Sequence, residues 1–312
     1  MNNPALFFDK SPELAMLKYT NTINSGIVFS TRSGNMKVIN LDGTKSDVTT
    51  DKMVDYSTWD NLNAISIPLN NYSTEQSGYL RFVFQYGYKD VYAIAVRKIH
   101  TSNNPSIFYN HNKFEIQNLG NFLKQFPALH SFSFDSYVYG DATVQAVLAG
   151  DLALIPKYIK RVYLSNIDVK NLHSSLVYNL NNIPTNSELE SFYFQARTTT
   201  AQNLSLNMHG DLKYLPPSLK NFVVRSVLTA TNTSVIYSGG KVWNPELNSF
   251  RLSKTMTSSS IDLLLNDMAS QVTTAIGNKS IGLQGTRTSA SDDAVAYLES
   301  LGFTVTVATA IS

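Results

Sequence analysis

The stretch Leu189-Glu190-Ser191-Phe192-Tyr193-Phe194 is apolar at its first, fourth and sixth places, and the chain returns to that pattern about every thirty residues. Upstream stand Ile159/Val162/Leu164 and Leu129/Phe132/Phe134. Downstream stand Leu219/Phe222/Val224, Leu247/Phe250/Leu252 and Asn278/Ile281/Leu283. The last anchors lie at 134, 164, 194, 224, 252 and 283, so the steps are 30, 30, 30, 28 and 31. Of the 18 anchors 17 are apolar in a chain that is 43% apolar, which sets the pattern apart from chance. A fixed period in this range belongs to chains whose units bury their apolar faces only against their neighbours. The end of each unit alternates apolar and polar, the period of a half-buried strand. One strand per unit, stacked at about 4.8 Å, makes a parallel sheet with one face in water.

The unit resembles that of leucine-rich repeats, Leu-x-x-Leu-x-Leu. The resemblance implies an α/β solenoid with one parallel sheet and return segments that are part helical and part extended. That family's unit continues x-x-Asn, whereas Tyr137, Ile167, Arg197, Val227, Thr255 and Thr286 stand there. The chain is therefore an irregular, leucine-rich-repeat-like sequence without the asparagine ladder. Leu62/Ile65/Ile67 and Val91/Ile94/Val96 add two rungs, about eight in all, and the step of 38 from Val96 to Phe134 predicts an inserted loop at 102–112.

Residues 1–58 lie outside the period and read as a β-rich N-terminal cap, with a hairpin joining Gly26–Ser30 to Met36–Leu41 and a further turn at Asp42-Gly43. The solenoid is expected over 59–312, with a C-terminal cap from about 284. Tyr79–Tyr86 reads as a strand on the return path. Asp141–Gly150 reads as a short helix, and Leu172, Leu176 and Leu180 as a helical stripe ended by Pro184. Residues 198–215 read as extended. Ser238-Gly239-Gly240 predicts a hairpin within 234–243, Ser260–Ile276 a serine-capped helix, and Ser291–Leu301 a helix stopped by Gly302 before a strand at Phe303–Val307.

Composition narrows the chemistry. With no cysteine, disulfide frameworks, thiolate metal sites and a cysteine nucleophile are excluded. A net charge of +2 with 15% charged residues, and no run of Lys/Arg longer than two, argues against a nucleic-acid stripe. No window is apolar over the roughly 18 residues a membrane span needs. Met1–Lys18 carries no basic segment followed by an apolar run, and reads as a start without a cleaved secretory leader. The five histidines are scattered, so no metal is expected, nor any cofactor. Gly282–Thr288 lacks the Lys-Ser/Thr end of a phosphate loop and reads as a turn. Asp292-Asp293 reads as a helix start. The Asn-x-Ser triplets at Asn71, Asn203, Asn232 and Asn278 follow from the abundance of both residue types.

The solvated strand positions carry the candidate site. Asp135, Arg161, Tyr163, Tyr193, Gln195, Arg225 and Arg251 fall on the polar side of successive rungs. Tyrosine and arginine on a rigid face are the usual anchors of protein recognition. The expectation is a non-catalytic recognition and assembly module. It reads as a structural or adhesive part of a phage virion (tail, baseplate or head accessory protein), with a bacterial leucine-rich-repeat surface adhesin or effector as the alternative. Its partners would be virion components or a host surface receptor, in multiple copies, without nucleic acid or membrane insertion. Its location would be the virion, or else the extracellular space or cell surface.

Overall fold

The computed structural model describes residues 14–20, 25–31, 35–39, 45–49, 64–68, 77–84, 88–98, 113–116, 118–135, 146–167, 176–196, 207–225, 235–274 and 279–309. The chain divides into two units, one of residues 1–149 with 171–174 and one of 150–170 with 175–312. Its class is mixed α/β.

The first unit contains β1 (Leu14–Thr20), β2 (Ser25–Thr31), β3 (Asn35–Ile39), β4 (Lys45–Thr49), β5 (Ala64–Pro68), β6 (Ser77–Phe84), β7 (Val91–Lys98), β8 (Lys113–Ile116), β9 (Ser131–Asp135) and β10 (Ala146–Leu148). One sheet runs β10-β8-β1-β6-β3-β4, antiparallel except for β8 with β10. In the other, β5, β2, β7 and β9 lie in that order, and only β7 with β9 is parallel, placing Ile94 opposite Phe132 and Val96 opposite Phe134. Between them in sequence, α1 (Leu119–Lys124) starts where the Asn118 Oδ1 accepts the Asn121 N–H at 2.9 Å. It buries Leu119, Phe122 and Leu123, and the Phe122 ring lies edge-on to Phe126 at 5.5 Å and Phe132 at 6.3 Å.

Several expectations for this half need correction. Strands within 1–58 pair with strands beyond it, β1 with β6 and β8, and β2 with β5 and β7. Ile65/Ile67 does form a strand, but β2 lies between it and β7, so it is not the rung next to Val91/Ile94/Val96. The near-continuous apolar run Ile27-Val28-Phe29 is what a central strand carries, and it takes that place. β2 and β3 join different sheets, so the hairpin is β3 with β4 across the Asp42-Gly43 segment. Ala146–Leu148 is a strand beside Phe114–Ile116 rather than the end of a helix. The expected loop at 102–112 lies outside the described residues.

The second unit contains β11 (Gly150–Asp151), β12 (Arg161–Ile167), β13 (Leu176–Asn179), β14 (Ser191–Ala196), β15 (Asn207–Asp211), β16 (Asn221–Arg225), β17 (Val235–Ile236), β18 (Ser249–Met256), β19 (Lys279–Gly285) and β20 (Phe303–Ala308), with helices α2 (Ser258–Gln271) and α3 (Asp292–Ser300). Two parallel sheets result. The larger runs β12-β14-β16-β18-β19-β20 and the smaller β11-β13-β15-β17. From β11 to β18 the chain alternates between them, and single 3-10 turns at Leu152–Leu154, Leu180–Asn182 and Leu212–Tyr214 lead from the small sheet toward the large one.

The repeated anchors become the core of this unit. Leu164, Phe194, Val224, Leu252 and Leu283 pair in register along one row, and Val162, Phe192, Phe222, Phe250 and Ile281 along another. All ten are buried to 1% exposure or less. The rings of Phe192, Phe222 and Phe250 stack at 5.6 and 5.2 Å, and Trp243 closes the stack edge-on at 5.4 Å.

The return segments are more extended than the spacing predicts. Leu176 and Leu180 lie on a strand and a 3-10 turn instead of a helix, because Leu176–Asn179 alternates buried and half-buried beside β15. Val235–Ile236 pairs in parallel with Gly210–Asp211, so the Ser238-Gly239-Gly240 turn does not close a hairpin. α2 begins two residues earlier than expected, capped by Thr257, whose Oγ1 accepts the Ser260 N–H at 3.3 Å. α3 stops at Gly302 with φ of 87°, and β20 follows, as expected from the glycine. No helix among the described residues is long and apolar enough to cross a membrane.

Candidate functional site

Alternation along the strands sends every second side chain of the large sheet away from the core. Arg161, Ser191, Asn221, Ser249, Ser280 and Thr304 form one outer row. Tyr163, Tyr193, Val223, Arg251, Gly282 and Thr306 form the next. A third brings Gln195 beside Arg225. Six of the seven candidate residues therefore share one face. Asp135 ends β9 in the first unit, and its side chain is outside those described.

The tyrosines form the centre of that face. The Tyr163 and Tyr193 rings stack at 4.4 Å and 8°. The Tyr193 hydroxyl donates to the Gln195 carboxamide oxygen, which fixes the ring against the sheet. Tyr163 remains 42% exposed. Arg161 is exposed and Arg225 and Arg251 are half-buried. The Arg225 Nε is buried without a hydrogen-bond partner, a donor held out of water. These three rows carry three guanidiniums and two phenols.

Several carboxylates elsewhere in the unit are committed to structure. Asp151 Oδ1 accepts from Ala153 N at 2.9 Å and Asn179 N at 3.2 Å, and its Oδ2 from the Asn182 amide at 3.2 Å. Asn179 Oδ1 accepts from Asn181 N, and Asn181 Oδ1 from Asp211 N at 3.0 Å. Asp211 takes Lys213 N at 3.0 Å, Ser238 N at 3.2 Å and the Ser238 hydroxyl. This Asx ladder runs from turn to turn beside the small sheet. Sequence reading missed it, although Asp151, Asn179 and Asp211 each open the motif [Asp/Asn]-Leu-x-x-[Ile/Leu]-Pro. Desolvation acts to raise the Asp211 carboxyl, but its hydrogen bonds from Ser238 and Lys213 outweigh that and hold it below the usual range.

Gly282–Gly285 is the end of β19 rather than a turn, only Thr286–Thr288 leaves the strand, and the stretch offers no phosphate cradle. The Asp262 carboxylate already takes the Thr288 N–H at 3.0 Å, the Thr288 hydroxyl and the Ser291 hydroxyl, both at 2.7 Å. Asp292 begins α3 as expected and pairs with Arg287. Buried cations are also structural. Lys241 donates its Nζ to the carbonyls of Leu215, Pro216 and Val242 over the Trp243 ring, and burial pushes it down to about 8. Burial likewise pushes Lys254 down to about 8, and Lys279 lies 4.7 Å over the Phe303 ring. No group of three or more His, Cys, Asp or Glu able to hold a metal occurs among the described residues. No family model, curated protein or solved structure matches the chain.

Proposed function

We propose that this chain is a non-catalytic protein-recognition and assembly module, built as an irregular leucine-rich-repeat-like solenoid. Its partner docks on the outer face of the large sheet. The observation that carries this reading is the face itself: Arg161, Tyr163, Tyr193, Gln195, Arg225 and Arg251 in adjacent rows on hydrogen-bonded strands. Parallel strands hold these side chains rigidly, so little conformational entropy is lost on docking. The stacked tyrosines supply apolar area with polar tips, and the arginines supply bidentate donors. Three arginines along adjacent rows favour a protein surface or segment rich in Asp and Glu.

The setting we propose is a phage particle, with the chain as a tail, baseplate or head accessory protein. A cysteine-free chain suits particles assembled in a reducing cytosol and later exposed to an oxidising medium. Mass spectrometry of purified particles from the cells that make this chain should find it in stoichiometric amounts. Its absence from intact particles would overturn that setting and leave the bacterial adhesin or effector. The face is tested separately, by Tyr163→Ser with Tyr193→Ser. Binding to the particle protein that co-purifies with the chain should fall at least tenfold, on the usual scale of aromatic anchors, with the melting temperature within a few degrees of the parent. Unchanged binding would place the docking surface elsewhere.

A further inference from the structure

We propose that β20 is a self-association edge, along which two copies of this chain join antiparallel so that their large sheets become continuous. Among the described residues β20 pairs with β19 alone, through six consecutive partners from Lys279 with Phe303 to Gln284 with Ala308. No described residue pairs with the backbone on the opposite side of the strand. Exposed edges are ordinarily blunted by a charge, a proline or a bulge. Thr304-Val305-Thr306-Val307-Ala308 has no charge and no proline, and its register with β19 runs without a shift.

The burial along β20 says what is missing. On the inward side Phe303 is 4% exposed, but Val305 and Val307 are only half-buried. Their neighbours across the ladder, Ile281 and Leu283, are 1% and 0% exposed. What would complete the burial is another strand with apolar residues at the same spacing. β20 itself has that spacing. Antiparallel pairing of two copies about Val305 sets Val305 on Val305, Phe303 on Val307 and Thr304 on Thr306. Apolar side chains then meet on the core side and threonines on the solvent side, and no like charges meet. A charged foreign segment would find no complement there. The two-fold arrangement uses up both edges, so association stops at two and does not run on as a fibre.

The dimer stands independently of the recognition face. Sedimentation of the full chain should show a monomer–dimer equilibrium. Thr304→Lys with Thr306→Lys changes only exposed positions and sets lysine against lysine twice across the dyad. It should weaken dimerisation about tenfold or more, with circular dichroism and melting temperature unchanged. Thr304→Glu with Thr306→Glu should do the same, and a mixture of the two variants should restore the dimer as a heterodimer. A parent chain that stays monomeric at the highest concentration reached would overturn the proposal. So would a dimer indifferent to the lysine pair, or variants that do not rescue each other.

Discussion

At the scale of single residues, the return side is held by hydrogen bonds that no hydrophobic count reveals. Asp211→Ala leaves the backbone N–H groups of Lys213 and Ser238 without their acceptor. The expected cost is about 1–3 kcal/mol in denaturant unfolding, and Asp211→Asn, which keeps one acceptor oxygen, should cost less. Gly210, at φ of 103°, would put a Cβ 2.7 Å from Asn181 Oδ1, so Gly210→Ala should destabilise by a further route, about 1–3 kcal/mol of backbone strain. The lysines set the pH dependence. Lys241 and Lys254 titrate near 8 when folded, against about 10.4 in an unfolded chain. Between those values the unfolded chain binds more protons, so stability should rise with pH from about 8 to about 10. Above about 10 the buried Tyr178 and Tyr237, whose hydroxyls are pushed up chiefly by burial, resist the ionisation open to the unfolded chain, and stability should fall again. A denaturation midpoint that declines steadily from pH 8 to 10 would contradict this. Lys254→Met should stabilise at pH 7, whereas Lys241→Met should not, because it strands three carbonyls.

At the scale of elements, what the sequence tells depends on whether an element repeats. The anchors from Ile159 to Leu283 were readable because burial against identical neighbours demands the same residue types at the same places. Phe222→Ala opens a gap between two stacked rings and should cost about 3–5 kcal/mol. Val223→Ala, one residue along and 8% exposed, removes less buried volume and should cost less, about 1–2 kcal/mol by urea unfolding. The returns were harder to read because four-residue leucine spacing fits both a helix and a strand followed by a 3-10 turn. At 176–182 the tertiary choice was made by strand pairing and an Asn179 cap rather than by propensity. The interleaving of β2 between β5 and β7 was not readable at all, since alternation marks a strand without naming its neighbours. The candidate face was legible to the extent that strand alternation is strict: Arg161, Tyr163, Tyr193, Gln195, Arg225 and Arg251 came together, but the Tyr163–Tyr193 stack and the orphaned Arg225 Nε are three-dimensional facts.

At the scale of the molecule, both the recognition face and the self-association edge need the six strands of the second unit in one order and one register. A slip of a single residue would turn the tyrosines and arginines into the core. Because the chain contains no cysteine, that register is open to direct test by paired substitution. Ser249 and Ser280 are partners on adjacent strands, with hydroxyl oxygens 3.0 Å apart. Ser249→Cys with Ser280→Cys should form an intramolecular disulfide under mild oxidation, since adjacent strands hold such pairs within bridging distance. Ser249→Cys with Thr304→Cys places the thiols two strands apart, at about 10 Å, and should stay reduced. Peptide mapping that finds the first pair linked and the second free is the result expected; a reduced first pair beside a linked second would show that β18, β19 and β20 do not lie in this order, and that the sheet carrying the face does not continue to the β20 edge.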